Sequence, residues 1–511
     1  MAGFDPSPSK SRCIWSPMRR GAFLSCVSAR VSLAVALGVR LAVVVWAHAR
    51  FPPAEDGRYY DILARRLAQG AGFTWLWPDG VVTFAAHYPV GYPALLAATF
   101  GLFGASTAAA MTVNAVVGAA GAYAAHRLAA ASGAGVWASG AAGLVVALHP
   151  ALVPYTAALM TEGVTCSLLL GAAASVARAR TAAHPLRWSC AAGLALGLAT
   201  LVRPQSLLLA PLLGALAAGP GASWRRRLGR AAATTAIALA CVVPWTARNC
   251  VRMNRCALVS VNGGWNLLIG ATSTSGAWEP VAVPPECATV WDEGAKDTCF
   301  ERAAEHHIEG APLAWLARVP AKVAVTFDYF GGAPWYLHAS SASSFGDRAK
   351  TWLGAVETVV CRLLLVAALA ACARVGGVRP FARRVVLAVG GISAFTVHAW
   401  PGYLAIPVAL ALAGPRAVAR APVAIPVSAV VITATALTHA VFFGAGRYGL
   451  VVAPFVAIVA MLGRAGRGAE DAVAATPPAV QDCAVDAARA VAGRAPVRRE
   501  ESPSSAEHDA G

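Results

Sequence analysis

The sequence predicts an all-α membrane protein that crosses the bilayer many times, and three observations predict it. Hydrophobic residues make up 57% of the 511 and charged residues only 13%, where a soluble chain would carry about 25% charged. Apolar runs approaching the ~20 residues needed to span a bilayer recur along the whole length. The 42 Lys and Arg outnumber the 25 Asp and Glu, and they sit in short clusters between those runs: KSR and MRR near the start, ARAR at 177–180, WRRRLGR at 224–230 and FARR at 381–384. That spacing follows the positive-inside rule. The net charge of +17 therefore sets orientation. It forms no single basic face, so nucleic acid is excluded as a partner.

Taken in order, a cytoplasmic segment (1–30) leads into a first outward span over 31–49. WAHA at 46–49 resembles the end of a secretory signal, but Arg40 inside the apolar run argues for an uncleaved span. Residues 50–106 form a first external loop. Within it YPVGYPALLAATFGLFG is apolar, short and opened by Pro and Gly, as suits a helix lying along the membrane surface. A return span covers 107–128. VWASGAAGLVVALHP leads out again, and 157–177 comes in to end at the ARAR cluster.

The next pair turns at Arg203–Pro204 on the outer side, where proline removes a backbone donor and disfavours helix before it. AAATTAIALACVVPW then leads out and closes an N-terminal transmembrane module, 31–245. The one long polar stretch, 246–350, holds Glu279, Glu286, Asp292, Glu293, Asp297 and Glu301. It reads as a small external domain, with APLAWLARVPAKVAVTFDYF as an interfacial helix. C-terminal transmembrane helices occupy 351–463, with spans near 352–373, 385–400, 422–443 and 448–463 and a weaker one at 402–414. The expected total is about twelve spans with both ends cytoplasmic. From 464 to 511 there is no apolar period, and the composition predicts a disordered cytoplasmic tail.

The 12 cysteines show no CxxC or Cys/His zinc spacing. Cys250 with Cys256, and Cys287 with Cys299, fall in segments outside the cytoplasm. An oxidising compartment favours a Cys287–Cys299 disulfide; two unpaired thiols are the alternative.

Sorting polar residues by side is more informative. Glu55, Asp56, His87, Glu162, Arg203, Arg248, Asn249, Asn262, Arg447 and Tyr448 all fall at the outer ends of spans. Ionisable groups at membrane depth cost about 2.5–3.5 kcal/mol each, so they tend to face a cavity and serve function. Carboxylates beside fixed cations suit a reaction in which a hydroxyl loses its proton and a phosphate departs. Each residue also has a plainer reading. Glu55 and Asp56 fit a solvated loop, Glu162 a helix-start acid favoured by the macrodipole, and Arg203 and Arg447 cations snorkelling to headgroups.

The order of motifs sharpens the choice. EDGRYYDILARRLAQGAGF, HYPVGYPALLAATFGLFG, LHPALVPYTAALMTEGVTCSLLL, GLALGLATLVRPQSLLL, VVPWTARNCVRMNRCALVSVNGGWNLLIGA and GRYGLVVAPFVAIVA follow one another across 31–463. Together they resemble the membrane-embedded glycosyltransferases of the GT-C class. The branch is like family 39, related to protein O-mannosyltransferases and the aminoarabinose transferase of lipid A. Val90 stands where such relatives carry a second proline. The resemblance implies a polyprenyl-phosphate-linked sugar as donor, used on the outer side of the plasma (inner) membrane by a hexosyl- or pentosyltransferase. It also implies an essential acid in the first external loop, which matches Asp56, with Glu55 as runner-up. Glu162 matches an acid opening a later span, and Arg203 and Arg447 match basic positions facing the donor phosphate.

A greasy donor keeps its tail in the bilayer, so the acid that serves its sugar must be held just beyond a span. Tyr59 and Tyr60 suit an interfacial belt there, with Arg58, Arg65 and Arg66 against lipid phosphates. His87 and Tyr448 complete the expected substrate-binding set. The expected partners are membrane lipids, the lipid-linked sugar and an acceptor that is a lipid, a glycan or a protein side chain. No organic cofactor is expected, and a divalent ion stays open if folding joins Glu55, Asp56 and Glu162. The competing class is a transporter or flippase for a lipid-linked or anionic solute, which would favour internal repeats and midplane sites.

Overall fold

The computed structural model describes residues 17–375 and 380–462. The expected tail from 464 and the first sixteen residues of the N-terminal segment lie outside the described residues. The chain is an all-α polytopic membrane protein. Its N-terminal half runs α1 (Pro17–Ala47), α2 (Asp56–Ala68), strands β1 (Thr74–Leu76) and β2 (Val82–Phe84), α3 (Gly91–Phe103), α4 (Thr107–Ala131), α5 (Val136–Ala147), α6 (Glu162–Ala179), α7 (Pro185–Val202), α8 (Leu209–Leu216) and α9 (Trp224–Arg252). The strands pair antiparallel, Trp75 opposite Thr83.

Beyond it come the short helices α10 (Gly263–Thr272), α11 (Pro285–Ala288), α12 (Glu293–Gly310), α13 (Pro312–Ala317), α14 (Val319–Phe327) and α15 (Gly332–Ser340). The C-terminal part is α16 (Asp347–Ala373), α17 (Pro380–Ser393), α18 (Trp400–Ala413), α19 (Pro415–Arg420), α20 (Ala424–Val441), α21 (Gly446–Gly449) and α22 (Ala453–Met461).

Among the described residues, six helices are long and apolar enough to cross a bilayer: α1 from Leu24, α4, α7, α9, α16 and α20. Others, including α3, α5 and α18, are apolar but shorter; a total of about twelve would draw on these as well. Lipid is as apolar as leucine, so helices associate through close packing at small residues. On α7 a Cβ added to Gly197 would lie 2.7 Å from Cys241 Cβ of α9. Arg40, only 2% exposed, is built into the bundle instead of reaching a headgroup. Its guanidinium donates to the Ala147 and Val146 carbonyls, at 2.9 and 3.4 Å, and so caps the C-terminus of α5.

Three elements differ from the sequence reading. First, α9 continues through 246 to Arg252, so the segment 246–350 begins within that helix, nearly two turns before its end. Second, APLAWLARVPAKVAVTFDYF divides. Leu313 of α13 is 80% exposed, but α14 turns inward, and fully buried Lys322 donates to the Val441 carbonyl at 3.2 Å. A cation at the C-terminus of α20 complements its dipole. Third, α17 and α18 have fourteen residues each, about 21 Å at 1.5 Å per residue against a ~30 Å core. Arg362 ties their connecting loop, donating to the carbonyls of Val397 and of Asp328, both at 3.1 Å. Irregular backbone at membrane depth needs such donors.

The outer segment builds a small core of its own from Leu268, Ala271, Cys287, Phe300 and Ala304. Disulfides join Cys250 to Cys256 and Cys287 to Cys299. Arg255 forks to Asp297 and Glu301, at 2.9 and 2.6 Å. Asp297 in turn accepts from the Gly264 N–H at 2.8 Å, at the N-terminus of α10, where a carboxylate is favoured.

Candidate functional site

Asp56 opens α2 and Glu162 opens α6, so each carboxylate meets the positive end of a helix. Gly57 brings the two helix starts together. A Cβ there would lie 2.7 Å from Tyr336 Oη and 2.9 Å from the Leu159 carbonyl, so only glycine lets α2 seat against the segment leading to Glu162. Just before it, Glu55 holds φ 51°, a conformation costly for a residue with a side chain and concentrated at functional sites.

Four charges of alternating sign form a continuous chain. Arg447 Nη1 contacts Asp56 Oδ2 at 3.0 Å, Arg447 Nε lies 3.6 Å from Glu162 Oε1, and Arg203 Nη1 contacts the same oxygen at 2.8 Å. Tyr155 donates its hydroxyl to Glu162 Oε2 at 2.6 Å. Both guanidinium groups lie over the ring of Tyr448, Arg203 at 4.8 Å and Arg447 at 5.2 Å, and Arg447 also faces Trp335 at 5.5 Å. Such faces hold a cation without neutralising it. On Tyr448's other contact, His439 stacks at 4.3 Å.

Exposure differs among the four. The side chain of Asp56 is 33% exposed, those of Arg447 and Arg203 18% and 13%, and that of Glu162 2%. Asp56 is the accessible acid, and Glu162 is the inner counter-charge. Beside Arg203 and Tyr448 a cavity of about 30 Å³ lies between α6, α8 and α20, lined by Leu169, Leu209, Val431, Ala434 and Val451 together with Thr165, Gln205, Ser206, Thr435, Thr438 and His439. Charge therefore stands at the edge of a narrow groove with apolar and polar walls.

The remaining residues singled out in the sequence are placed as follows. Tyr59 stacks on Tyr88 at 5.3 Å, and Tyr60 meets Tyr88 and Tyr92 edge-on at 5.2 and 5.5 Å. Tyr88, directly after His87 in HYPVGYP, donates its hydroxyl to Asp56 Oδ1 at 3.4 Å. Burial, then Asp56, pushes its phenol upward, so it stays a protonated donor. His87 packs edge-on to Tyr88 at 4.9 Å and stands one residue away from the charge chain. Glu55 is exposed and stays out of the chain. Tyr88, Tyr155, Trp335 and His439 were not singled out from sequence. Tyr88 and Tyr155 had a signal, their places inside quoted motifs.

Glu55, Asp56 and Glu162 do not fit a divalent ion. Arg447 stands between the last two, and among the described residues no group of three or more His, Cys, Asp and Glu could hold a metal.

Burial holds the His87 imidazole below its ordinary range, against the opposing pull of Glu293, Asp297 and Asp56. Unfolded His87 accepts a proton that the folded form refuses. Stability is thus fully present above the unfolded pKa of about 6.5 and declines as pH falls below it. His87→Asn is expected to flatten the melting temperature between about pH 6.5 and 5, read by thermal unfolding in detergent; an unchanged slope would contradict this.

Residues 87–247 match the model of a family described as dolichyl-phosphate-mannose-protein mannosyltransferase. No curated protein matches the chain. Among solved structures, it is similar to the archaeal oligosaccharyltransferase AglB from Archaeoglobus fulgidus, in complex with an inhibitory peptide and a dolichol-phosphate. That similarity has 14% identity and TM-score 0.42, covering 93% of this chain and 52% of that one. It is also similar to ArnT from Cupriavidus metallidurans bound to undecaprenyl phosphate, with 14% identity and TM-score 0.34, covering 87% of this chain and 78% of that one. The chain spans about half the length of the oligosaccharyltransferase. With the family match running from HYPVGYP to the end of α9's apolar stretch, the resemblance to GT-C membrane glycosyltransferases is borne out.

Proposed function

We propose that this chain is a glycosyltransferase that moves a sugar from a polyprenyl-phosphate carrier to an acceptor hydroxyl on the extracytoplasmic side of the plasma membrane. One observation carries the reading: the charge chain Asp56–Arg447–Glu162–Arg203 joins an accessible acid to two guanidinium groups held over an aromatic ring. The family match over 87–247 supports the same donor class. In this reading the module 31–245 and the helices of 351–463 build the site, and 246–350 covers it from outside.

The narrow groove, with room as it stands for about two waters, widens to take the first isoprene units, and the phosphate comes to Arg203 and Arg447. Two acids and two arginines balance at rest, so an arriving phosphate competes with Asp56 for Arg447. The released carboxylate then takes the acceptor's proton. The acceptor oxygen bonds to the anomeric carbon as the carbon–phosphate oxygen bond breaks. The departing charge settles on polyprenyl phosphate against the two guanidinium groups. A single displacement of this kind inverts the anomeric centre. Tyr59 and Tyr88 offer aromatic surface to the sugar, with buried Tyr60 packed behind Tyr88.

The test supplies polyprenyl-phosphate mannose and native envelope lipids to the full chain in proteoliposomes. Each polyprenyl phosphate released is expected to match one new glycosidic bond. Passage of the lipid-linked sugar across the bilayer with no bond formed would make the chain a carrier and sink the proposal. Ala434→Trp, which fills the groove, is expected to raise the donor KM about tenfold with kcat little changed, as loss of uniform binding does.

A further inference from the structure

We propose that Glu293, on the outer segment, is a positioning residue that sets the acid's loop. The proposal rests on the function just given. Glu293 opens α12 and sends its carboxylate into the first external loop, where it grips both sides of the β1–β2 hairpin. Oε1 accepts the Trp75 indole N–H at 2.6 Å; Oε2 accepts the backbone N–H groups of Ala86 and His87 at 2.6 and 2.9 Å. The next residue is Tyr88, whose hydroxyl reaches Asp56.

Three donors converge on one carboxylate, and charge-assisted bonds of this kind are the strong ones. The rest of the grip is equally specific. Arg248 donates to the carbonyls of Ala85 and Phe73 at 2.9 and 3.0 Å, and Val261 N–H donates to Ala86 at 2.8 Å. Trp75 meets Tyr59 and Tyr88 edge-on at 6.0 and 6.3 Å, so moving the indole moves the rings over the site. The anchor itself is rigid. The Cys287–Cys299 disulfide and the Arg255 fork hold α12, so Glu293 hands the loop a fixed reference. A displacement of about 1 Å in such a support costs up to about 100-fold in rate.

Glu293→Gln leaves one acceptor oxygen for three donors and turns an amide N–H toward one of them. In the full chain in nanodiscs, hydrogen exchange at Ala86 and His87 is expected to quicken about tenfold, with the transmembrane helices unchanged. With polyprenyl-phosphate mannose as probe, kcat is expected to fall about tenfold while the donor KM holds within about twofold. Trp75→Phe added to Glu293→Gln is expected to cost less than the two changes summed, because the misdirected amide then meets no indole donor. Unaltered exchange overturns the proposal; so does quickened exchange with unaltered kcat, or a rise confined to KM. Should Glu293→Gln fail to fold, Glu293→Asp, too short to reach both sides, carries the same measurements. If the wild-type chain releases no polyprenyl phosphate, the proposed function fails for this donor. Exchange at Ala86 and His87 then decides the clamp alone.

Discussion

Asp56→Asn is expected to lower sugar transfer about 10³-fold, read as polyprenyl phosphate released per minute from the lipid-linked donor. Amide and carboxylate are nearly the same size; the Asn carbonyl still accepts from Arg447, 3.0 Å from Oδ2, while its NH2 takes the place of Oδ1, 3.4 Å from the Tyr88 hydroxyl, whose oxygen can accept from it. What is lost is the proton acceptor, and general bases contribute about 10²- to 10⁴-fold. With a third of its side chain exposed, Asp56 forms a pair worth at most about 1 kcal/mol to stability, so the variant should melt near the wild type. Glu55→Gln is the internal control, since Glu55 is exposed and outside the charge chain; its turnover should stay within about threefold. Transfer that survives Asp56→Asn would remove that carboxylate from the mechanism.

Breaking the inner pair should act on the fold as well. Arg203 meets Glu162 at 2.8 Å with side-chain exposures of 13% and 2%. Removing one member of a buried pair strands the other charge and costs about 3–5 kcal/mol, whereas replacing both by apolar or neutral groups is far milder. Glu162→Gln and Arg203→Met are each expected to lower unfolding free energy by about 3 kcal/mol in detergent. The double variant should recover at least about 1.5 kcal/mol of the summed loss. All three should lose transfer, because Arg203 then no longer meets the phosphate or no longer holds its place. Additive losses in stability would mean that Arg203 is held by Tyr448, 4.8 Å from its guanidinium, and not by the acid.

The many-span helical class was legible because it rests on a local rule. Bilayer thickness forces apolar runs, and Arg clusters mark the inner loops. The Glu-Asp-Gly start of α2 carried a signal too, although the need for Gly57 became visible only against Tyr336, nearly 280 positions further along. Arg40 illustrates the opposite case. In sequence it argued only about a signal peptide, and the structure uses it to cap a helix at residue 147.

Contacts that depend on the folded path left no trace in the sequence. Tyr155 lies seven residues before Glu162 on a short 3₁₀ turn, outside the helix that Glu162 opens, so no helical period pairs them. Trp335 reaches Arg447 and His439 reaches Tyr448 through helices whose mutual placement is set by packing. Glu293 was one of ten acids between residues 246 and 350, and only the folded loop singles it out.

Composition and charge order by themselves determined a many-span helical protein, because solvation by lipid or water acts on each residue where it stands. Which acid meets which arginine, which stays exposed and which lies shut in was decided only by tertiary structure. Coulomb and hydrogen-bond energies fall off within a few ångströms, and the distances that matter join residues 56, 162, 203 and 447.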